Sequence, residues 1–265
     1  MRRSLRWLTL AGSVGLFLLA AGLVVFLAAS SEVDAPLRAW VVASGGVAFD
    51  SATLVSLVGS TTVTIVLVLL GVAFSWWRGR ARDAYVDAAG ILVAQLLDLA
   101  LKVWVDRPRP PYALIAEDPW SFPSGHATRA ASLVVALAWF TWRATRSSRA
   151  TWTAGLVSSA WALGIGWARL ALGVHYASDV LSGWGVGLAG CVVGILVAGR
   201  IVDRALSRLP AVFSGVPGWQ GSRRLGARGR VLRDAMGAFS DSPVPSSVLK
   251  GSPDALDPLR VKQGR

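Results

Sequence analysis

Cysteine and histidine are nearly absent from this chain. Cys191 is the only cysteine, and His126 and His175 are the only histidines in 265 residues. A lone cysteine excludes an intrachain disulfide framework, and so few soft ligands exclude a Cys/His zinc cluster. Charge is also scarce: Asp, Glu, Lys and Arg make up 16% of the chain, against the ~25% usual in soluble domains. Hydrophobic residues reach 54%, which excludes disorder over most of the length. Acids are rarer than bases, 15 against 27, so the formal net charge is +12. No internal repeat and no glycine-rich nucleotide fingerprint is present, and topology explains the positive charge better than nucleic-acid binding does.

What the chain has in quantity is apolar length. A spanning helix needs ~20 mainly apolar residues. Six stretches qualify as expected spans, near Leu8–Ala29, Leu54–Trp76, Ala84–Val105, Ala127–Trp142, Trp152–Leu172 and Val180–Ile201. The third is the weakest by hydropathy because it carries Asp87, Gln95 and Asp98. Arginines test the count. Arg2, Arg3 and Arg6 open the chain; Arg78, Arg80 and Arg82 follow span two; Arg143, Arg146 and Arg149 follow span four; Arg200, Arg204 and Arg208 follow span six. Six spans put all four clusters on one side, which the positive-inside rule makes cytoplasmic. The first outer segment instead holds Glu32, Asp34 and Asp50 against Arg38. Trp7, Trp76, Trp77, Trp142 and Trp152 fall near span ends, where interfacial aromatics anchor helices. The expectation is an all-α, six-helix membrane bundle in the cell membrane, with both termini cytoplasmic.

The first span has a basic start and small residues at Ala28, Ala29 and Ser30, as a cleaved signal peptide has, but its apolar core is longer than the usual 7–15 residues, so a retained anchor is expected. From about Leu209 Gly, Ser, Pro and Arg dominate, and 209–265 reads as a mostly disordered basic cytoplasmic tail. Residues 1–208 form the expected membrane domain, with the motif core at about 84–200. Arg223, Arg224, Arg228, Arg230 and Arg233 either sit on anionic lipid heads or are simply solvated.

Two outer loops break the pattern of a neutral outer face. One holds Lys102, Asp106, Arg107, Arg109 and Pro110, then Pro123-Ser124-Gly125-His126; the other runs from Arg169 to His175 and Asp179. Cations on the non-cytoplasmic side oppose the usual bias and suggest an anion site. Lys102, Arg109 and Arg169 can surround a phosphate with point and fork-shaped donors. Ser124 is a plausible N-cap of the next helix, which leaves the Gly125 and His126 amides for the same anion. His175 and Asp179 stand four apart, on one face if span six begins there. A carboxylate taking one ring N–H leaves the other nitrogen free to attack, and histidine is an accepted covalent nucleophile. His126 could then protonate the leaving oxygen.

The spacing Lys102-x6-Arg109-Pro110, Pro123-Ser124-Gly125-His126 and Arg169-x5-His175-x3-Asp179 resembles the tripartite signature of the phosphatidic acid phosphatase type 2 superfamily. That family includes membrane lipid phosphatases, polyprenyl diphosphate phosphatases, soluble acid phosphatases and vanadium haloperoxidases. The resemblance covers roughly residues 50–200. It implies a phosphohistidine on His175, oriented by Asp179, with His126 as general acid. It further implies that Lys102, Arg109, Ser124, Gly125 and Arg169 hold the phosphate, with no metal or other cofactor. There is one departure: the family usually has Ser before the third-motif arginine, and this chain has Ala168. Arg107-Pro108 repeats the Arg-Pro pair, and Arg107 is either an accessory contact or a surface charge.

The remaining polar residues have plainer readings. Asp98 is expected to pair with the buried Lys102, Gln95 to hydrogen-bond between helices, and Asp106 to be a solvated loop charge. Gly183, Gly185, Gly187 and Gly190 suggest close helix packing. Tyr112, Trp104, Trp120 and Phe122 form an interfacial rim or line a lipid-tail entrance. Cys191 reads as inert core. The function implied is a metal-independent phosphatase of a membrane lipid phosphate, with polyprenyl diphosphate favoured on the resemblance alone. Phosphatidate and phosphatidylglycerophosphate are alternatives, as are a non-catalytic lipid-phosphate binder and, less favoured, a vanadate-dependent haloperoxidase. Nothing in the sequence speaks to oligomeric state.

Overall fold

The computed structural model describes residues 2–27, the single positions 36, 39, 40 and 43, and residues 46–213, with side chains from residue 6 to residue 205 within these. The acidic segment around Glu32 and Asp34, and the tail beyond 213, lie outside the described residues. Seven helices are named among those described: α1 (Arg2–Leu27), α2 (Gly46–Val58), α3 (Thr61–Trp77), α4 (Ala81–Val105), α5 (Gly125–Thr145), α6 (Ser148–Ala171) and α7 (Ala177–Phe213). No strand occurs among the described residues; an isolated bridge pairs Pro108 with Trp120 in the long loop.

Helix ends follow local chemistry. Ser60 caps α3 by accepting from the Val63 amide at 3.4 Å, and Ser147 caps α6 by accepting from the Ala150 amide at 3.3 Å. Asp106 and Arg146 close α4 and α5 in the left-handed region, with φ of 46° and 57°. Gly173, at φ 66°, turns the chain from α6 toward α7, a conformation that costs glycine little.

Helix α7 is the centre of the bundle and packs on α1, α4 and α5, while α5 packs on α6 and α2 on α6. The expected glycine face explains the close approach. A Cβ on Gly185 would stand 2.5 Å from the Leu19 amide nitrogen of α1. One on Gly183 would stand 2.6 Å from the Ser124 carbonyl oxygen, and one on Gly190 3.0 Å from the Ala94 Cα of α4. Small residues thus let three backbones reach α7. Beside them Val86, Ala94, Leu133, Cys191 and Ile195 form a buried apolar cluster.

Apolar length supports some of the expected spans. Arg6–Leu27, Ala81–Val105 and Ala177–Ala205 are each long and apolar enough to cross a bilayer, and α2 with α3 makes a fourth candidate if the pair is one span. That pair is bent by 40°, so the expected continuous span from Leu54 to Trp76 is two helices broken at Gly59-Ser60. The ranking of spans also changes. Helix α4 passes despite its three polar residues, whereas α5 and α6 do not. Each of those two carries an arginine, Arg129 within α5 and Arg169 in the last turn of α6, together with buried small polar residues such as Thr128, Ser132, Thr151 and Ser158.

Opposite ends of the bundle differ in chemistry. At one end Arg82 pairs with Asp203 at 3.0 Å, Arg143 with Asp83 at 2.8 Å, and Arg80 donates to the Ala144 carbonyl at 3.1 Å, tying α4, α5 and α7. The other end gathers the C-terminal turn of α4, the long loop, the start of α5, the last turn of α6 and the start of α7. All three motifs sit there. Two apolar grooves, one beside Trp7, Trp139 and Trp152 and one beside Asp87, touch none of the motif residues.

Candidate active site

His175 is the centre of the motif cluster. It follows the Gly173 turn and is 2% exposed. Its Nδ1 lies 2.8 Å from the Ser121 carbonyl oxygen and 3.5 Å from Asp179 Oδ2. A carbonyl can only accept, so the ring proton resides on Nδ1 and Nε2 carries the lone pair. Arg109 Nη1 donates to that Nε2 at 3.1 Å and to the Val174 carbonyl at 2.8 Å. The i, i+4 relation of His175 and Asp179 holds, but the tautomer is fixed chiefly by Ser121, with the carboxylate behind it.

Asp179 is fully buried and spends its oxygens elsewhere. Oδ2 accepts from the Tyr176 amide at 2.9 Å, and Oδ1 pairs with Arg107 Nη1 at 2.6 Å. Arg107 also donates to Ser178 Oγ at 2.7 Å, and its guanidinium lies 3.9 Å above the Tyr176 ring and 4.7 Å from that of Phe26. The left-open choice for Arg107 is thereby resolved: it is not a surface charge but the cationic partner of Asp179.

The other cations surround the same space. Lys102, 8% exposed in the last turn of α4, donates to the Pro123 carbonyl. The expected Asp98–Lys102 ion pair is not formed; Asp98 Oδ1 accepts instead from Thr128 Oγ1 at 2.8 Å. Gly125 stands between these groups. A Cβ there would lie 3.2 Å from Arg129 Nη1, 3.3 Å from Asp98 Oδ2 and 3.7 Å from Lys102 Cε. Arg169, 1% exposed, donates through Nη1 to Ser56 Oγ at 2.7 Å and pairs through Nη2 with Glu117 Oε1 at 2.7 Å, while its Nε has no hydrogen-bond partner. Ser124 occupies the N-cap position of α5, but its side chain makes no capping bond, contrary to expectation; its Oγ is buried and unpartnered. The first amides of α5 have no intrahelical partner either.

Burial, then the charges of Arg169, Arg109 and Lys102, hold His175 well below the ordinary histidine value. His126 precedes the apolar stretch that starts at Ala127. It too is held far below that value, by burial first and then by Arg169, Arg129, Arg109 and Lys102. Its Nδ1 is 3.2 Å from Arg129 Nη2. The arrangement offers a neutral imidazole whose Nε2 lone pair accepts from Arg109, in a cluster of cations that also holds buried unpartnered donors on Ser124 and Arg169. Such a ring attracts an oxyanion and repels a metal ion.

Residues 86–202 match the model of the PAP2 superfamily. The resemblance carried by the three motifs is therefore borne out over that segment. Phosphatidylglycerophosphatase B of Bacillus subtilis (strain 168) is 32% identical over 124 residues, which are 46% of this chain and 61% of the relative. The chain thus matches less than two thirds of that curated relative's length. Among solved structures, the first transmembrane PAP2 type phosphatidylglycerolphosphate phosphatase from Bacillus subtilis superposes with a TM-score of 0.59 at 25% identity, covering 75% of this chain and 98% of that one. Aquifex aeolicus LpxE gives a TM-score of 0.48 at 22% identity, over 62% of this chain and 93% of its own.

Within the PAP2 segment, the departure at Ala168 has a structural setting. Ala168 is fully buried in an apolar cluster with Ala48, Ala52, Ala171, Leu172 and Val174. Its side chain is packed among apolar groups that include two alanines of α2. The sequence reading missed Arg129, Ser56, Ser121 and Glu117. Arg129 could have been found, because a charge inside an apolar helix is a functional suspect by default. Ser56, Ser121 and Glu117 carry no such signal; only the fold brings them to the motifs. Phe122, expected at the rim, is 4% exposed and packs on Phe26 at 5.1 Å. Trp104 is 82% exposed, as a rim residue would be. Gln95 Nε2 finds no hydrogen-bond partner, so the expected interhelical bond is not made.

Proposed function

We propose that this protein is a membrane lipid phosphatase that hydrolyses a lipid phosphate ester through a phosphohistidine on His175. The observation that carries the reading is the His175 ring: its proton is held on Nδ1 by Ser121 O, and its Nε2 lone pair faces Arg109 inside the cationic cluster. In the first step Nε2 attacks phosphorus and the bond to the lipid oxygen breaks. Lys102, Arg109, Arg169, Ser124 Oγ and the amides of Gly125 and His126 bind the phosphoryl oxygens and stabilise the charge developing there. Asp179 balances the imidazolium that forms. His126 gives its proton to the leaving alcohol oxygen. In the second step water attacks phosphorus, His126 takes its proton, and the P–N bond breaks to release phosphate.

His126 must be protonated to act first, yet in the free site burial, and after it the cations, keeps it neutral. A bound phosphomonoester carries about −1.5 to −2 charges. It offsets the charges of Lys102, Arg109 and Arg169 and so raises the affinity of His126 for a proton toward what the acid step needs. The cationic lining also supports a mechanism without a metal.

The chain is proposed to cross the membrane six times, with both termini cytoplasmic and the site on the outer face. The separation of the Arg80–Arg82–Arg143 end from the motif end supports this orientation. Phosphatidylglycerophosphate is placed first among substrates, because the curated relative and the superposed structure, both from Bacillus subtilis, carry that substrate in their names. Polyprenyl diphosphate and phosphatidate are the competing arms of the test. Purified protein is offered the three lipids with EDTA present, beside a His175→Ala variant. Phosphate release by the wild type alone supports the reading, and the ranking names the substrate. Lipid binding without release would favour the non-catalytic alternative.

A further inference from the structure

The ring of cations is already occupied by carboxylates of the same chain. Glu117 Oε1 pairs with Arg169 Nη2 at 2.7 Å, and Glu117 Oε2 lies 3.8 Å from Arg109 Nη2. Asp118 accepts from Arg109 through both its backbone oxygen and its Oδ1. These two acids sit in the loop between α4 and α5, next to the Trp120–Asp106 contact at 2.8 Å and five residues or more from either helix. Arg169 and Arg109 are two of the cations assigned above to the phosphate, so the loop places anionic oxygens on the donors that substrate needs.

We propose that Glu117 and Asp118 determine which phosphate the site accepts, by competing for Arg169 and Arg109. This rests on the phosphate-binding reading of those arginines. A ligand enters only if its oxygens and charge outbid the two carboxylates. A phosphomonoester does: it has three unsubstituted oxygens and about −1.5 to −2 charges at neutral pH. A phosphodiester brings two such oxygens and a single negative charge. Phosphodiester lipids are the bulk of the surrounding bilayer, so a cationic site open at the membrane surface would fill with them. The internal carboxylates hold the arginines against that excess and yield to the doubly charged terminal phosphate. Arg169 Nε and Ser124 Oγ, which the carboxylates do not reach, are donors that the entering phosphate gains outright.

Glu117 and Asp118 make no contact with the His175–Asp179 pair, so their removal alters selection without removing catalytic groups. The test measures binding rather than turnover. Methyl phosphate and dimethyl phosphate are titrated by calorimetry into purified full-length protein in a His175→Ala background, which keeps the cations and prevents hydrolysis. Glu117→Gln and Asp118→Asn are then added singly and together. The expected result is that the background binds methyl phosphate well and dimethyl phosphate poorly, and that the double variant binds dimethyl phosphate tighter by about two- to fivefold, the scale of a lost partly exposed ion pair. The ratio of the two affinities must narrow. Single variants give smaller changes in the same direction. If both ligands bind and the ratio is unchanged in every variant, the carboxylates are not selectors and only this inference fails. If neither ligand binds before or after substitution, the phosphate site itself is misassigned. A second measurement applies to the active enzyme: added phosphatidylglycerol in mixed micelles should inhibit Glu117→Gln/Asp118→Asn several-fold more than wild type, and equal inhibition would contradict the proposal.

Discussion

Gly183 gives the sharpest prediction, because its consequence follows from distances alone. Substitution by alanine places a Cβ 2.6 Å from the Ser124 carbonyl oxygen and 2.9 Å from Ala127 Cβ. Cβ atoms essentially never approach a heavy atom closer than 3.0 Å, so the start of α5 must retreat by at least 0.4 Å. The atoms that give way are backbone, not a flexible side-chain tip, and Ser124, Gly125 and His126 move with them. Overpacking of this kind costs about 1–3 kcal/mol in stability. A misplacement of 1 Å in an active site can cost ~10²-fold in rate, so a shift of nearly half that predicts a loss of about tenfold in kcat. The control is Gly199→Ala in the same helix, where the new Cβ meets only Arg82 Nη2 at 3.8 Å. That variant should keep its activity within about twofold and gain ~0.5–1 kcal/mol of helix stability. Phosphate release and thermal unfolding of the two purified variants decide the matter. Equal activity of Gly183→Ala and Gly199→Ala would refute the claim that α7 sets the position of the phosphate loop.

Arg107→Met should leave the fully buried Asp179 without its cation; removing one partner of a buried pair costs about 3–5 kcal/mol, and because Arg107 is 19% exposed a smaller loss of about 1–3 kcal/mol is expected, read as a lower Tm together with a fall in kcat. Ala168→Ser should change kcat/KM by less than about twofold, since position 168 is packed among apolar groups; a large gain would show that the family's serine acts on the phosphate after all. His175 is held well below the ordinary histidine value, so the folded state binds fewer protons than the unfolded chain. Its contribution is unfavourable only below about pH 6.5, and stability is lost as pH falls through that region. The drop in Tm between pH 8 and pH 5 should therefore be smaller in His175→Gln than in wild type; an identical drop would mean that His175 is protonated in the folded protein.

The sequence made some of this molecule legible and hid the rest for physical reasons. Apolar length located α1, α4 and α7, because a bilayer imposes a simple constraint that survives without knowledge of contacts. The break at Gly59-Ser60 was hidden because both residues are tolerated inside helices, and only the packing against Ile165 and the cap on Val63 reveal the turn. Helices α5 and α6 were located correctly, yet both fall short on apolar length and carry arginines, Arg129 and the last-turn Arg169, that are held among neighbours. The motif spacing brought His126, His175, Asp179, Lys102, Arg109 and Arg169 to one end of the bundle. It misjudged partners: Lys102 turns to Pro123 O rather than to Asp98, and Ser124 Oγ is left open rather than capping α5. Partners separated by tens of residues, such as Arg107 with Asp179 and Glu117 with Arg169, are set by loop geometry that no local pattern encodes.

The central claim is that His175 Nε2 carries the phosphoryl group. It is tested most directly by rapid-quench trapping with a lipid labelled in its terminal phosphate, in EDTA, followed by peptide mapping. The account predicts a label that is stable in alkali, labile in acid, and located on His175, with none on His126. Turnover at the wild-type rate by His175→Ala, or a trapped label on another residue, would contradict it.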